Sequence, residues 1–224
     1  LIDEFSDPWD VRRFICDLYG TILADKLGYD LLDDIQLLTP QRKNTLGVNE
    51  LNVELQSLIQ RKLYGVEVPP VPPNRRPPFL LHDKVIQRRN NYDLGIMNGS
   101  IGRVVALLPH GDLRVRFDGI EVDLCRADGD LDDLQLAYAL TIHQCQGSEF
   151  PCAVVIIHKS HSFMHSQNLF YTGVSRAKET TIVIGDRWGV RNCATKKAND
   201  QRSTFLGLWR KDMEAASLKE ALNG

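Results

Sequence analysis

Tyr138-Ala139-Leu140-Thr141-Ile142-His143-Gln144-Cys145-Gln146-Gly147-Ser148-Glu149-Phe150 is a dense polar connection between two apolar runs, one ending near Leu140 and the other spanning Cys152 to His158. A strand that is apolar at almost every position fits a parallel sheet covered on both faces. Polar residues joining two such strands fall at a sheet edge, and α/β proteins bind ligands beyond the carboxyl ends of their strands. The Thr, His and Gln side chains can each bond a phosphate or a sugar, and Gly147 lets the backbone come close. Glu149 is unsuited to facing a phosphate but can accept a hydroxyl proton. The plainer alternative is a helix cap and turn at a strand end.

Working outward, Leu134 to Leu140 reads as a strand, and Thr141 to Gly147 as a polar stretch turning into a helix. Ser166 to Lys178 fits a helix, Thr180 to Gly185 a second buried strand, and Thr204 to Leu222 a long basic helical run. Near the start, Val11, Phe14, Ile15, Leu18 and Ile22 recur at helical spacing within Trp9 to Leu27, and Gly28 can stop that helix. Ile35 to Thr39 is a short strand halted by Pro40, and Val48 to Leu63 is a second amphipathic helix. Strand, turn and helix open an α/β unit.

Between these halves the composition changes. Residues 68–78 contain six prolines and can be neither helix nor central strand. Beyond them lie four short β-like pieces, Lys84 to Arg88, Gly102 to Leu108, Leu113 to Phe117 and Glu121 to Leu124, separated by turn-forming Asn98-Gly99, His110-Gly111-Asp112 and Asp118-Gly119. The expected organisation is one α/β domain built from residues 1–66 and 134–224, interrupted at 67–133 by a proline-rich linker and a small β-barrel or curled sheet.

At 224 residues, with 43% hydrophobic and 25% charged residues, the chain has the composition of a globular protein with one good core and a small satellite. No apolar run approaches the roughly 20 residues needed to cross a bilayer, so no membrane role is expected. The formal charge of −2 does not advertise nucleic acid, although a sum can conceal a basic groove. Five irregularly spaced cysteines, with no Cys-x-x-Cys pair, argue for a reducing cytoplasm rather than a disulfide scaffold or zinc knuckle. The opening Leu1-Ile2-Asp3-Glu4, without a Met, reads as that of an excised fragment.

Two further polar segments stand out. In Asn168 to Lys178, Arg176 offers a planar guanidinium suited to phosphoryl oxygens; the alternative is solvated surface. In Leu38 to Asn52, Arg42 follows a strand end, and parallel strands would bring all three segments to one carboxyl edge. Arg88, Arg89, Asn90, Asn91 and Tyr92 add charge, amides and an aromatic to the β module; Tyr92 can stack a base or be a partly buried turn residue. Other clusters point elsewhere. Asp128, Asp130, Asp132 and Asp133 lack the Gly and Glu of a calcium loop, His158, His161 and His165 lack a metalloprotease pattern, and Cys145 follows His143 too closely in a turn to be its nucleophile. Gly-x-x-x-x-Gly-Lys-Ser/Thr is absent from the 224 residues, so the chain carries no P-loop of its own.

Thr-Ile-His-x-x-Gln-Gly-Ser-Glu-Phe at 141–150 and Tyr-Thr-x-Val-x-Arg-Ala-Lys at 171–178, with Leu38 to Asn52 and Asp83 to Val104, resemble the C-terminal half of RecD/TraA-type superfamily 1B DNA helicases, the exodeoxyribonuclease V alpha subunit among them. The resemblance implies an α/β fold: a second RecA-like motor domain, its parallel sheet flanked by helices and interrupted by an SH3-like β-barrel. It implies that ATP and Mg2+ lie between this domain and an N-terminal RecA-like domain of the same protein, which supplies the P-loop and the Mg2+ ligands. Arg42 and Arg176 would contact the γ-phosphate, Glu149 the ribose, and Gln146 and Gly147 would couple the nucleotide cleft to DNA. Thr141, His143 and Gln144 would lie along single-stranded DNA, with Arg88 and Tyr92 from the β module. Movement 5′ to 3′ and partners in repair, recombination or conjugation follow from the same resemblance. Gln144, Cys145, Gly173 and Ser175 depart from the common family residues. The competing expectation is a nucleic-acid-binding or scaffolding module that keeps the shape without catalysis.

Overall fold

Asp7 starts the first helix, its carboxylate accepting the Trp9 N–H at 2.9 Å while Pro8 takes the first helical position, and α1 runs Pro8–Asp17. The computed structural model describes residues 5–72 and 75–197. The apolar periodicity predicts one helix to Leu27, but beyond α1 the chain loosens into a π-type turn over Leu18–Ile22 that contains Gly20, and then into turns. Gly28, at φ 74°, closes the segment. β1 (Ile35–Thr39) is buried along its whole length, and α2 (Val48–Tyr64) ends at Gly65 in the left-handed conformation, as a helix C-terminus favours.

β2 (Lys84–Gln87), β3 (Ile101–Leu107), β4 (Leu113–Phe117), β5 (Ile120–Leu124) and β6 (Leu134–Leu136) form a five-stranded antiparallel sheet in the order β5-β4-β3-β2-β6. β7 (Ala139–Thr141), β8 (Phe150–Ile157) and β9 (Ala177–Gly185) join β1 in a wholly parallel sheet, order β7-β1-β8-β9. α3 (Gln167–Val174) and α4 (Arg187–Thr195) complete the flanking helices. The fold is a RecA-like parallel sheet flanked by helices, with a separate antiparallel sheet consistent with an SH3-like insertion. Among the described residues no helix is long and apolar enough to cross a membrane.

Leu134 to Leu140 is not one strand. Leu134–Leu136 pairs with β2 in the antiparallel sheet, and Ala139–Thr141 pairs with β1 in the parallel one. The chain changes sheets at Ala137 and Tyr138, both fully buried, and an apolar run reads the same whichever sheet buries it. The helix expected over Ser166 to Lys178 stops at Val174, and β9 begins at Ala177, earlier than expected. The helical run at Thr204 to Leu222 lies outside the described residues.

Buried polar ties lock the two sheets together at that crossing. Asp83, fully buried, accepts from Gln56 Nε2 at 2.6 Å, Gln60 Nε2 at 2.8 Å, the Tyr138 hydroxyl at 2.8 Å and the Leu80 N–H at 2.8 Å. Burial pushes its carboxyl above the usual range, and these donors pull it back. Next to it, Lys84 extends its ammonium into the parallel domain, donating to the Ile35 carbonyl at 3.0 Å and lying over the Phe150 ring. Asn52 and Ala139 exchange two hydrogen bonds, at 2.9 and 2.8 Å, which pins α2 to β7.

Removing the carboxylate strands four donors in a dry site. Asp83→Ala should therefore lower unfolding free energy by about 3 kcal/mol or more, and Asp83→Asn, which keeps one acceptor, by less; urea denaturation checks both. His161 gives a second test. It is 1% exposed, its ring nitrogens have no hydrogen-bond partner, and burial drives its pKa down to about 3, with His158 and His165 adding to the effect. The depressed folded-state value means that its share of stability is intact above pH 6.5 and lost as pH falls toward 3. The loss is at most about 1.4 kcal/mol per pH unit, and a urea midpoint followed from pH 7 to 4 should fall less steeply in His161→Leu.

Candidate functional site

β1 and β7 lie side by side with Thr39 opposite Thr141, so the chains leaving them emerge together at the carboxyl edge of the parallel sheet. The first carries Arg42 and the second His143. Arg88, just beyond β2, and Asn98-Gly99, just before β3, approach from the antiparallel sheet. With Ile86, Gln144, Gln146 and Ser148 these residues line a cavity of about 500 Å³. No carboxylate lines it. Arg42 is exposed and forms no ion pair among the described residues; Arg88 is half-buried and donates to Gln135 Oε1 at 3.0 Å. Burial, then the nearby Arg42 charge, pull the Arg88 pKa below its usual value, and Asp133 partly offsets them. Two guanidiniums that share a hollow and repel each other make it a place for an anion.

Thr141 to Glu149 forms one wall. Its middle is a series of turns rather than a helix, and Gly147, at φ 92°, takes a backbone conformation that a side chain would strain. Gln144 Oε1 accepts from the Thr141 N–H at 3.0 Å and the Thr141 hydroxyl at 2.8 Å, so Thr141, 7% exposed, is committed to shaping the turn, while the Gln144 amide N–H groups remain for a ligand. His143, Gln146, Gly147 and Glu149 are exposed, and Ile142 and Cys145 anchor the segment from beneath. Burial pushes the Cys145 thiol up to about 12, which removes it as a nucleophile.

The three polar segments do not share one edge. Arg176 lies between α3 and β9, at the amino edge, where its carbonyl accepts the Phe150 N–H at 2.9 Å. Glu149, immediately before β8, is at that edge too. The physical reason is the parallel order itself: residues that follow a strand gather at the carboxyl edge, and residues that precede one gather at the opposite edge. Arg42 and Arg176 therefore adjoin opposite strand ends, and Thr141 to Glu149 runs from one toward the other, its Ser148 lining the cavity with Arg42 and giving its carbonyl to Arg176. Arg176 is half-buried and rigidly held, with Nε on the Thr172 carbonyl at 3.1 Å, Nη1 on the Ser148 carbonyl at 3.0 Å and Nη2 on Ser175 Oγ at 3.1 Å. Of its five N–H donors, two remain for a ligand.

Gly173 supports this arrangement. A Cβ there would sit 3.0 Å from Val155 Cγ1 and 3.3 Å from Ile142 Cδ1, so the glycine lets α3 lie close on the sheet and the connection. Tyr92 is 78% exposed, its hydroxyl accepting from Asn90 Nδ2 at 2.8 Å, and it does not line the cavity. Asn98-Gly99 and Ser148 are cavity residues that sequence reasoning missed; a turn signal marked the first pair, but nothing in it pointed to a ligand. Asp130 is occupied structurally, accepting from Asn91 Nδ2 and the Cys125 N–H, each at 3.0 Å. Among the described residues no group of three His, Cys, Asp or Glu side chains is placed to hold a metal.

Residues 136–184 match the UvrD-like helicase C-terminal domain family. The chain is 37% identical over 174 residues to the ATP-dependent RecD2 DNA helicase of Deinococcus radiodurans, covering 77% of this chain and 23% of that protein. It is 31% identical over 175 residues to the RecBCD enzyme subunit RecD of Mycobacterium tuberculosis, covering 78% of this chain and 29% of that one. The chain thus spans about a quarter of the length of these curated relatives. Among solved structures, a Pif1 helicase from Bacteroides in complex with ADP-AlF3 and ssDNA aligns at TM-score 0.48 and 18% identity, covering 81% of this chain and 49% of that one. The sequence similarities support a RecD-like superfamily 1 helicase domain in this chain.

Proposed function

We propose that this chain is the second motor domain of an ATP-dependent 5′–3′ DNA helicase, with a strand-binding side and a nucleotide-binding side at opposite edges of its parallel sheet. The observation that carries the reading is the Thr141 to Glu149 connection, which runs from an electropositive cavity at one edge to the fixed Arg176 at the other. At the amino edge, Arg176 donates its two remaining N–H groups to the γ-phosphate and Glu149 approaches the ribose. ATP, Mg2+ and the groups that bind them sit against an N-terminal RecA-like domain of the full protein, which supplies the P-loop. At the carboxyl edge, Arg42, Arg88, His143 and Gln144 take the phosphates of single-stranded DNA. The family resemblance sends Arg42 to the γ-phosphate; its place beside Arg88, across the sheet from Arg176, favours the strand. Gln146 and Gly147 lie in the segment that carries a change at one edge to the other.

The mechanism follows from the connection. Nucleotide drawn onto Arg176 pulls on the Ser148 carbonyl that the same guanidinium holds. Ser148 also lines the cavity, so closing the nucleotide cleft alters the grip on the strand. As hydrolysis proceeds, Arg176 offsets charge on the transferring phosphoryl group, an effect that for an arginine finger reaches about 10³–10⁵ in rate. The likeness to an ATP-dependent DNA helicase and to a RecBCD subunit supports work on DNA by the full protein, and the resemblance suggests repair, recombination or conjugative transfer as its setting. The second reading, a binding module without catalysis, draws on the absence of Gly-x-x-x-x-Gly-Lys-Ser/Thr from these 224 residues.

In the full-length protein, Arg176→Ala should keep ATP binding and lose DNA-stimulated turnover about 10³-fold; unchanged turnover removes the arginine-finger role. Arg42→Ala should weaken binding of a single-stranded oligonucleotide and flatten the dependence of log K on log salt by about 0.7. Loss of turnover with strand binding intact would return Arg42 to the nucleotide. The 224-residue chain alone should show negligible ATPase and weak, salt-sensitive strand binding; robust turnover by it would contradict the division of labour.

A further inference from the structure

Two large aromatic side chains stand in solvent beyond the carboxyl ends of β8 and β9. Phe163, in the 3-10 segment Lys159–Met164 that leaves β8, is 91% exposed, and Trp188, in the first turn of α4 after β9, is 56% exposed. They are on the sheet edge that carries Arg42 and His143. The segments bearing them are fixed to each other. Asp186 accepts the Lys159 N–H at 2.5 Å and caps α4 through the Gly189 N–H at 2.8 Å. The Trp188 ring centroid lies 6.3 Å from that of His165, two residues after Phe163, and Lys196 Nζ donates to the carbonyl of Ser162, the residue before it, at 3.3 Å.

The charge of this ledge is one-sided. Residues 159–164 and 186–196 include Lys159, Arg191 and Lys196, all exposed or half-buried, and a single carboxylate, Asp186, which is 8% exposed and already accepts backbone N–H groups. Exposed rings among cations, with the one acid internally occupied, suit a polyanion that also presents flat apolar faces. Unpaired nucleobases on a phosphodiester backbone have both features, and each base stacked on a ring contributes independently of sequence. A neutral apolar protein surface would meet the rings but leave the excess positive charge without a counterpart.

We infer that Phe163 and Trp188 form a base-stacking ledge that continues the single-strand path past the Arg42–Arg88 cavity, along the carboxyl edge toward β9. The inference rests on the strand-binding reading of that edge. It assigns the cavity to backbone phosphates and the ledge to bases, so the two halves of the edge should respond to different chemistry in the strand.

Full-length protein, free of nucleotide, would be titrated with a fluorescein-labelled 15-nucleotide oligo-dT and with an abasic strand of the same length, and anisotropy followed. Both side chains project from the surface, so Phe163→Ala/Trp188→Ala should fold; circular dichroism checks this. The double variant should bind oligo-dT at least tenfold more weakly than wild type and the abasic strand equally well, while Arg42→Ala/Arg88→Ala weakens both strands. If the aromatic variant leaves oligo-dT binding unchanged, or weakens both strands alike, the ledge does not stack bases and the cavity assignment stands. If wild-type protein binds neither strand, the strand-binding reading fails and the ledge with it.

Discussion

A buried carboxylate with four donors organises the molecule. Asp83 sits where the chain returns from the antiparallel sheet to the parallel one, and it collects α2 through Gln56 and Gln60, the β6–β7 crossing through Tyr138, and its own turn through Leu80. An ionised group in that position is tolerable only if every donor is in place, so it enforces one mutual arrangement of the two sheets. Lys84 adds a second constraint by carrying its ammonium from β2 to the start of β1. The cavity is built from both sheets, Arg88 and Asn98 from one and Arg42 and His143 from the other, and its shape therefore depends on this junction.

The parallel sheet separates two kinds of chemistry by direction alone. Its carboxyl edge holds an electropositive hollow, and its amino edge holds an arginine fixed by three hydrogen bonds to its own domain. Between them runs a connection that is polar where it faces solvent and apolar where Ile142 and Cys145 meet the core. Its Ser148 faces the cavity while its carbonyl is held by Arg176.

Gln144, Cys145 and Gly173 each have a local structural role. Gln144 gives its carbonyl oxygen to Thr141 and so fixes the turn. Cys145 is a small buried side chain under the connection. Gly173 costs helix propensity, roughly 1 kcal/mol relative to Ala, and in return allows α3 to approach Val155 and Ile142 closely.

Hydrophobic periodicity in the sequence was enough for β1, α2 and the β4 strand, because each is a single element buried in one way. The motifs at 141–150 and 171–178 were legible as a pair, and chain order alone implied a parallel sheet. Sequence could not divide Leu134 to Leu140 between two sheets, since burial on either side selects the same apolar residues. Nor did it reveal Asn98, Gly99 and Ser148 as neighbours of Arg42, because no local pattern records which loops meet across a junction. Residue types, spacing and strand direction are properties of the chain and determine the kind of domain this is. Only the closure of the Asp83 junction, with parallel strands setting Arg42 and Arg176 at opposite ends, decided which polar groups share a site, because proximity between distant segments is created by packing.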